Sequence, residues 1–514
     1  MRKLVTAEMM KRLDEIAVEQ YGVKTQDLIT NAGQAVADKI MQVEGSVEGK
    51  KIVVVCGKGN NGADGLAAAE VLGKAGAKVV IYLLFAKTEL NAEMKKMLTK
   101  LSKVVEDTVF LTMYDGKAYV GADIIIDAIF GTGFNANPEG VFYDMIRNMN
   151  DSVAPVYSID IPSGIHGTTG NSEDIAVRAD FTLTLGYPKI GLYINDGYAC
   201  SGEVHILDIG FPAELDDEIP DDKLLMELDD SRNILKPRPL MVDKKDFGKV
   251  FNFAGSLAMP GAAILSSVAA IKSGTGLLKL GIPMNISASI STIYPEVMTI
   301  PLAYAQPGYT SINAEKEVLK GYKWGDACLV GPGLSVHPET KKVAKKLFSK
   351  PAEKPTVIDA DGLNMLAESP ELFSYMSDDI VLTPHNSEMA RMVGVSKELL
   401  LLDRIDMIVK KAKEWNCYII LKGTPTLVAQ PDGTLHIHVN KNPAMAVGGM
   451  GDVLSGILVS LLGQRLDMLK SIYLALYIHS VAARLATNEV GEVSLLPSDV
   501  VKEIPNAIKY IQSL

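Results

Sequence analysis

The chain has 514 residues, enough for two large or three ordinary domains. Hydrophobic residues make up 47% and charged residues 22% of it, which excludes the disordered and fibrous classes. The net charge of -11 argues against a nucleic-acid-binding surface, and no apolar run approaches the roughly 18 residues of a membrane span. Four scattered cysteines and an N-terminus without a secretory signal favour a protein of the reducing cytoplasm.

Five short apolar runs in the first half of the chain end in glycine or turn residues. They are 51–57, 78–85, 123–131, 155–164 and 180–186. Helical stretches such as 64–75 and 91–103 lie between several of them. Apolar strands separated by helices indicate a parallel sheet that is covered on both faces.

A strongly acidic segment, 213–230, follows these runs and contains nine carboxylates and one lysine. Dense like charge does not pack into a core, so we predict a linker between domains 1–212 and 231–514. The second domain has apolar runs at 327–333, 356–362, 379–385, 417–423 and 426–430. No internal repeat relates the halves, which predicts two different α/β domains with ligands at the carboxyl ends of their strands.

The glycine-rich turn 57–65, GKGNNGADG, follows the first run and opens a helix. A dinucleotide fingerprint of the form G-x-G-x-x-G also needs a carboxylate at the end of the second strand, to hold a ribose. No carboxylate occurs there before Glu89. The turn instead contains the polar side chains Asn60, Asn61 and Asp64, which a pyrophosphate cradle does not need.

Three further strand ends, 127–137, 158–164 and 186–192, are equally rich in side-chain oxygens. Converging Asn, Asp and Ser oxygens suit a hard cation together with a hydroxylated ligand. The same residue types are favoured in turns for backbone reasons alone, so any single turn has a purely structural explanation. Four such turns in one domain favour a ligand site.

The strings NNGADG, DAIFGTG and SIDIPSG, preceded by the helical segment 12–33, resemble the NAD(P)H-hydrate epimerase domain over nearly all of 1–212. The resemblance implies a Rossmann-like three-layer domain that interconverts the R and S epimers of NADHX and NADPHX. These compounds form when water adds to the reduced nicotinamide ring. Asp160 is implied as the catalytic carboxylate, with Lys189 assisting, although an Asp at this position also suits a simple turn cap.

The epimerase resemblance also implies two ligand sets. Substrate binding is implied for Asn60, Asn61, Gly62, Ala63, Asp64, Gly131, Thr132, Gly133, Phe134, Asn135, Ala136, Asn137 and Asp160. A potassium ion (K⁺) is implied to bind Asn61, Asp127 and Ser163.

The segment 442–462 has apolar residues at helical spacing from Val453 onward, which predicts a buried helix that begins near Asp452. The preceding glycines, GGMG at 448–451, leave backbone N–H groups free at the helix N-terminus, where anions bind favourably. A transferring phosphoryl group fits there, with Asp452 placed to take a proton from the attacking hydroxyl. A simple N-cap role for Asp452 explains the same pattern.

GGMGD together with LKG-x-x-T resembles the ribokinase-like superfamily. The added strings GPG, DADGLN and TPH-x-x-EMAR narrow the resemblance to the ADP/ATP-dependent NAD(P)H-hydrate dehydratase over 245–510. It implies a ribokinase-like α/β domain with Asp452 as base and Mg²⁺ bridging the phosphates of ADP or ATP. Binding of the hydrated nicotinamide is implied for Ala262, Gly333, His385 and Asp452, and nucleotide binding for Lys422, Gly423, Thr424, Pro425, Thr426 and Gly451.

The second half departs from the usual family pattern at Asn386, Ser387, Lys441, Ala444 and Val447. None of these positions is a predicted catalytic residue. The departures therefore bear on affinity and nucleotide preference more than on activity.

Both resemblances together predict a bifunctional repair enzyme that acts on NADHX and NADPHX, without nucleic-acid or membrane partners, and that forms a homo-oligomer. The rival hypothesis is a ribokinase-like kinase of a vitamin-precursor alcohol with a non-catalytic N-terminal ligand-binding module. TPH followed by EMAR argues against the kinase, and the joint presence of Asn61, Asp127, Asp160 and Ser163 argues against a non-catalytic module.

Overall fold

The computed structural model describes residues 1–89, 92–114, 116–134 and 136–514. It consists of two compact units, Lys3–Lys223 and Leu224–Leu514, and Met1–Arg2 belongs to the second of them. The division falls inside the acidic segment that the sequence predicts as a linker. In its first part Leu215 and Ile219 are buried, whereas the carboxylates up to Asp222 are exposed.

The first unit is built around a seven-stranded parallel sheet. The short strand β1 (Arg2–Lys3) belongs to the other sheet of the chain. The seven strands here are β2 (Lys51–Cys56), β3 (Lys78–Leu83), β4 (Asp107–Phe110), β5 (Ile124–Ala128), β6 (Val156–Ile159), β7 (Phe181–Leu185) and β8 (Glu203–Leu207). The helices are α1 (Ala7–Glu19), α2 (Thr25–Glu44), α3 (Asn60–Lys74), α4 (Ala92–Leu101), α5 (Val141–Asn150) and α6 (Asn195–Cys200). The sheet order is β4-β3-β2-β5-β6-β7-β8, so the direction of winding reverses between β2 and β5. A crevice for ligands is expected at that point, beyond the carboxyl ends of these strands.

Strand β2 shows why this unit has three layers. Ile52 and Val54 pack into a core cluster with α2 and α3, whereas Val53 and Val55 pack into a second cluster with α5. Successive side chains of a strand point to opposite faces, so a continuously apolar strand requires cover on both. The predicted parallel sheet with helices on both faces is confirmed.

The second unit contains the longer sheet. Its strands are β9 (Lys223–Leu225), β10 (Lys249–Phe253), β11 (Leu277–Pro283), β12 (Met298–Leu302), β13 (Tyr304–Ala305), β14 (Tyr309–Thr310), β15 (Ala327–Val330), β16 (Thr356–Ile358), β17 (Ile380–Leu382), β18 (Tyr418–Leu421), β19 (Thr426–Ala429) and β20 (Leu435–His438). From one edge the order is β1-β9-β20-β19-β18-β17-β16-β15-β10-β11-β12, and β13 pairs with β14 separately. Seven neighbouring strands of this sheet, β12, β11, β10, β15, β16, β17 and β18, run parallel. Strands β18, β19 and β20 pair antiparallel. The winding reverses at β10, beside β15.

Eleven helices cover this sheet among the described residues. They are α7 (Pro260–Lys272), α8 (Met284–Ile293), α9 (Glu315–Trp324), α10 (Pro338–Phe348), α11 (Asp361–Ala367), α12 (Asn386–Val393), α13 (Lys397–Leu402), α14 (Arg404–Trp415), α15 (Met450–Gly463), α16 (Met468–Val490) and α17 (Pro497–Ser513). Helix α15 is the central one, with 12 of its 14 residues buried. At Gly456 it approaches α7 so closely that a Cβ would lie 2.2 Å from the Ser266 carbonyl oxygen.

In the described part of the chain, every helix is either too short or too polar to cross a membrane.

Candidate active sites

A buried carboxylate ties together two strand ends of the first unit. Asp127, on β5, accepts hydrogen bonds from the Ser163 hydroxyl (2.6 Å) and backbone N–H (2.9 Å) and from the Ser158 hydroxyl (2.8 Å). The backbone N–H of Ile129 also donates to it, at 3.2 Å. Burial raises the pKa of Asp127, and these hydrogen bonds act against that rise.

The three residues predicted to bind K⁺ lie together here. The Asn61 amide nitrogen donates to the Phe130 carbonyl oxygen at 2.8 Å, and the Ser163 hydroxyl lies 3.3 Å from the same oxygen. The Asn61 Oδ1 atom is buried without a hydrogen-bond partner. Buried polar atoms are normally paired, and an unpaired oxygen near a carbonyl and a carboxylate suits a hard cation. The residues present therefore fit a K⁺ ion.

Asp160 and Lys189 form a buried ion pair beside this cluster. The Lys189 Nζ atom lies 2.5 Å from Asp160 Oδ1, and it also donates to the Leu185 carbonyl oxygen at 2.8 Å. The main chain at Lys189 is fixed in place, because Val5 makes backbone hydrogen bonds to both of its neighbours, Pro188 and Ile190. Asp160 itself has φ 66°, a backbone conformation that is rare outside glycine and is concentrated at functional sites.

Two further carboxyl groups face the ion pair. Asp64 follows Asn61 by one helical turn on α3, and burial, reinforced by Asp160 and Asp14, raises its pKa well above the ordinary value. Asp14 lies on α1 and is open to solvent on one side. Burial of its carboxyl on the other side, opposed by the charge of Lys189, raises its pKa to about 6. Asp14 is not among the predicted site residues, because one acidic residue on an amphipathic helix carries no signal of its own.

The remaining predicted substrate residues of this unit lie in the segments that follow β2 and β5, at the same edge of the sheet. Gly62 must be glycine, because a Cβ there would meet the Gly57 carbonyl oxygen at 1.9 Å, and at Gly131 a Cβ would lie 3.3 Å from that of Asn61. Phe134 stacks on Phe130 with ring centroids 3.8 Å apart. Asn60, Gly133, Ala136 and Asn137 are exposed, Thr132 is half-buried and Ala63 is buried. Asn135 lies outside the described residues.

The second site is centred on the N-terminus of α15. The Lys422 Nζ atom lies 2.6 Å from Asp359 Oδ1, and a Cβ on Gly451 would lie 3.1 Å from the same nitrogen. The ammonium group therefore lies close to the first turn of α15, where the helix dipole favours anions. Burial would lower the pKa of Lys422, but Asp359 and Glu388 outweigh it and raise that pKa.

Asp452 lies in the first turn of α15, but the N-cap of this helix is Gly449. The alternative that Asp452 is simply the cap is therefore wrong. Burial, reinforced by the charge of Asp359 and opposed by Lys422, raises the pKa of Asp452 to about 7. A carboxyl group with a pKa near the working pH is suited to general-base catalysis.

His385 presents a neutral imidazole beside Lys422. Its Nδ1 atom accepts hydrogen bonds from the backbone N–H groups of Ser387 (3.1 Å) and Glu388 (3.2 Å), so the proton lies on Nε2. Burial, together with the charges of Lys422 and Arg391, lowers the pKa of His385. The Nε2 atom lies 3.5 Å from Glu388 Oε1, and the ring is half-exposed, so a ligand can reach it from the solvent side.

Ala262 and Gly333 meet where β10 and β15 end. Gly333 has φ 63°, and a Cβ there would lie 3.0 Å from that of Ala262. One turn further along α7, Leu265 lies 2.9 Å from where a Cβ of Gly449 would be, next to the start of α15. Strands β10, β11 and β12 are not among the predicted strands, although β10 ends directly before this part of the site.

The nucleotide-binding loop predicted at Lys422–Thr426 joins β18 to β19. Its first residue donates its backbone N–H to the Pro384 carbonyl oxygen at 2.8 Å, which fixes the loop to the end of β17. Gly423 and Thr424 are exposed, Pro425 is buried, and the Thr426 hydroxyl donates to the Gly423 carbonyl oxygen at 3.1 Å. The loop thus offers an open surface next to the Lys422 ammonium.

Two family models match the chain, NAD(P)H-hydrate dehydratase over residues 251–506 and YjeF-related protein N-terminus over residues 25–191. A bifunctional NAD(P)H-hydrate repair enzyme from Thermofilum pendens is 34% identical, across 99% of this chain and 97% of that relative. The chain belongs to the family of bifunctional NAD(P)H-hydrate repair enzymes. A member from Moorella thermoacetica is 32% identical, across 99% of this chain and 97% of its own length.

A ribokinase-like superfamily protein from Enterococcus faecalis V583 superposes with a TM-score of 0.50 at 23% identity, covering 57% of this chain and 97% of that one. The predicted ribokinase-like fold is confirmed by this likeness. The predicted family and its bifunctional activity are confirmed by the matches over both halves, and the vitamin-kinase alternative is not favoured. The roles of individual residues stay predictions.

Proposed function

We propose that this repair enzyme acts twice on the hydrates of NADH and NADPH. The first unit interconverts the R and S epimers, and the second unit dehydrates the S epimer at the expense of ADP or ATP. One observation carries the proposal. In each unit a lysine and a carboxylate lie together at the carboxyl edge of the parallel sheet, within the region that the matching family model covers.

In the first unit we assign acid–base chemistry to Asp160. Inversion at the hydrated carbon requires proton transfer or opening and closing of the ring, and both need a group that gives and takes a proton. The Lys189 ammonium orients the Asp160 carboxylate, and the oxygen-rich loops bind the substrate hydroxyl groups. A K⁺ ion held by Asn61, Asp127 and Ser163 would supply positive charge beside the buried Asp127 carboxylate.

In the second unit we assign Asp452 as the base that takes the proton of the ring hydroxyl while a phosphoryl group is transferred to that oxygen. Lys422 and the backbone N–H groups around Gly451 bind the phosphates, and Ala262, Gly333 and His385 bind the hydrated ring. The phosphate then leaves with cleavage of the ring C–O bond, and the ring nitrogen stabilises the resulting cation as an iminium ion. Loss of a proton from the adjacent ring carbon to solvent forms the C=C bond and restores the dihydropyridine. Mg²⁺ neutralises charge on the nucleotide phosphates when it is bound.

The test mixes the full-length protein with both epimers of NADHX, ADP, Mg²⁺ and K⁺. The absorbance of reduced nicotinamide is recorded over time. Recovery of both epimers faster than they interconvert unaided supports both activities. A fast phase that stops when the S epimer is consumed would contradict the epimerase assignment. No recovery with either ADP or ATP would contradict the dehydratase assignment.

The residue assignments have a matched pair of variants. Asp160→Asn should abolish epimerisation and spare dehydration of the S epimer, and Asp452→Asn should do the reverse. The surviving activity shows that the other unit is intact in each variant, and urea unfolding reports whether the substituted unit is folded.

A cytoplasmic location and a homo-oligomeric state are also proposed. Cys56, Cys328 and Cys417 are buried thiols, which agrees with a reducing compartment. Light scattering of the purified protein tests the oligomeric state.

A further inference from the structure

One buried carboxylate joins three elements of the dehydratase site, and beyond its pairing with Lys422 no role is assigned to it above. Asp359 directly follows β16 and is only 1% exposed. Its backbone N–H donates to the Val330 carbonyl oxygen at 3.1 Å. Its own carbonyl oxygen lies against Gly331, where a Cβ would come within 1.8 Å of it, and Gly331 has φ 132°. The main chain therefore fixes where this carboxylate can lie.

The two carboxylate oxygens of Asp359 have different partners. Oδ1 lies 2.6 Å from Lys422 Nζ, and Oδ2 accepts a hydrogen bond from the Ser455 hydroxyl at 2.7 Å. Ser455 follows Asp452 by one turn of α15. The carboxylate therefore connects the nucleotide loop to the helix that carries the proposed base.

We propose that Asp359 is a positioning residue, which holds the Lys422 ammonium at the N-terminus of α15 before the nucleotide phosphates arrive. The inference rests on the proposed dehydratase function of the second unit. A lysine has four flexible side-chain bonds, so without a fixed partner its ammonium would spread over many positions. The ion pair removes that freedom before binding, and such preorganisation increases affinity.

Asp359 has a second effect, on the charge of Asp452. The charged groups that face Asp452 are Asp359, Asp361, Glu388 and Lys422, and His385 faces Lys422. Among these groups Asp359 opposes the ionisation of Asp452 most strongly. Removing its charge lowers the pKa of Asp452, so the base is ionised at a lower pH.

The experiment is Asp359→Asn in the full-length protein, assayed with S-enriched NADHX, ADP and Mg²⁺. We expect KM for ADP to rise about tenfold, because Lys422 loses its fixed partner. We also expect the acidic limb of the dehydration pH profile to move down by about one pH unit. A variant with the wild-type KM and the wild-type limb would overturn the inference.

Two further variants separate positioning from general damage. Ser455→Ala removes a hydrogen bond but keeps the Asp359 charge, so its acidic limb should stay at the wild-type pH. In a Lys422→Met background, Asp359→Asn should raise KM for ADP no further, because Asp359 acts through Lys422. Independent, additive effects would refute the positioning role.

The emission of Trp324 and Trp415, which both lie in the second unit, reports whether that unit is folded in each variant. If Asp359→Asn does not fold, ADP binding is compared by calorimetry between Lys422→Met and the double variant, which removes both charges. Equal affinities support the inference, and weaker binding by the double variant overturns it. If the wild-type chain does not dehydrate the S epimer, it is the proposed function that fails.

Discussion

Replacing Asp452 by Asn is predicted to stabilise the second unit while it abolishes dehydration. The pKa of Asp452 is about 7, against an ordinary value of 3.8. This difference of about three pH units corresponds to about 4 kcal/mol of opposition to ionisation. We reduce it to about 2 kcal/mol, because the side chain keeps some contact with solvent.

The sign of the effect follows from where the proton is bound. Between about pH 4 and pH 7 the unfolded chain has lost the Asp452 proton, while the folded chain keeps it. The free energy of unfolding therefore decreases as the pH rises through this window, and it levels off above the folded pKa. Asparagine has no proton to lose. The variant should exceed the wild type by about 2 kcal/mol at pH 8, and the difference should vanish near pH 4.

Tryptophan fluorescence measures the stability of the second unit, which contains Asp452. Both tryptophans of the chain, Trp324 and Trp415, lie in the second unit, so their emission follows its unfolding by urea. Curves at pH 4.5 and pH 8 are compared for the wild type, Asp452→Asn and the control Asp378→Asn, which changes an exposed carboxylate. Only Asp452→Asn should show the alkaline gain.

An Asp452→Asn protein that is no more stable than the wild type at pH 8 would refute the reasoning. It would mean that ionised Asp452 does not destabilise the folded second unit, so its pKa would not lie near neutrality. Dehydration at the wild-type rate would separately remove Asp452 from the mechanism.

Three other predictions concern single contacts. Lys189→Met should destabilise the first unit by about 3–5 kcal/mol and abolish epimerisation, because it leaves the buried Asp160 carboxylate unpaired. Urea unfolding followed by circular dichroism measures the loss, and intact dehydration of the S epimer is the control. Gly451→Ala should raise KM for ADP about tenfold, because the added methyl group would lie 3.1 Å from Lys422 Nζ. The control Gly448→Ala places its methyl group where no atom lies within 4 Å, so KM for ADP should stay unchanged. Replacing K⁺ by tetramethylammonium should slow epimerisation about tenfold or more, and Asn61→Ala should remove the dependence; equal rates in both salts would contradict the K⁺ site.

The local pattern predicts much of this molecule because its motifs follow the ends of parallel strands. Asp127, Asp160 and Lys189 are far apart in the chain, but each comes just after, or near the end of, an apolar run. Parallel strands bring their carboxyl ends to one edge of the sheet, so such residues meet wherever the sheet forms. The same reasoning applies to Lys422 and His385, which the ends of β18 and β17 bring together.

The apolar pattern does not predict the two strands at the β12 edge of the second sheet. Strand β11 contains Lys279 and Gly281, and β12 contains Pro301, so neither has the continuous apolar pattern of a buried strand. Pro301 is tolerated because β12 is the edge strand of its sheet, where one side of the backbone needs no partner.

The local residue pattern is enough to predict the two fold classes and the residue types at each sheet edge. Which charges meet depends on how distant segments pack together. Asp359 pairs with a lysine 63 residues away and with a serine 96 residues away, and Asp14 reaches the Asp160 ion pair from a separate helix. These pairings set whether a carboxyl group is ionised, because burial and neighbouring charge act through space and depend on segments that no local pattern relates.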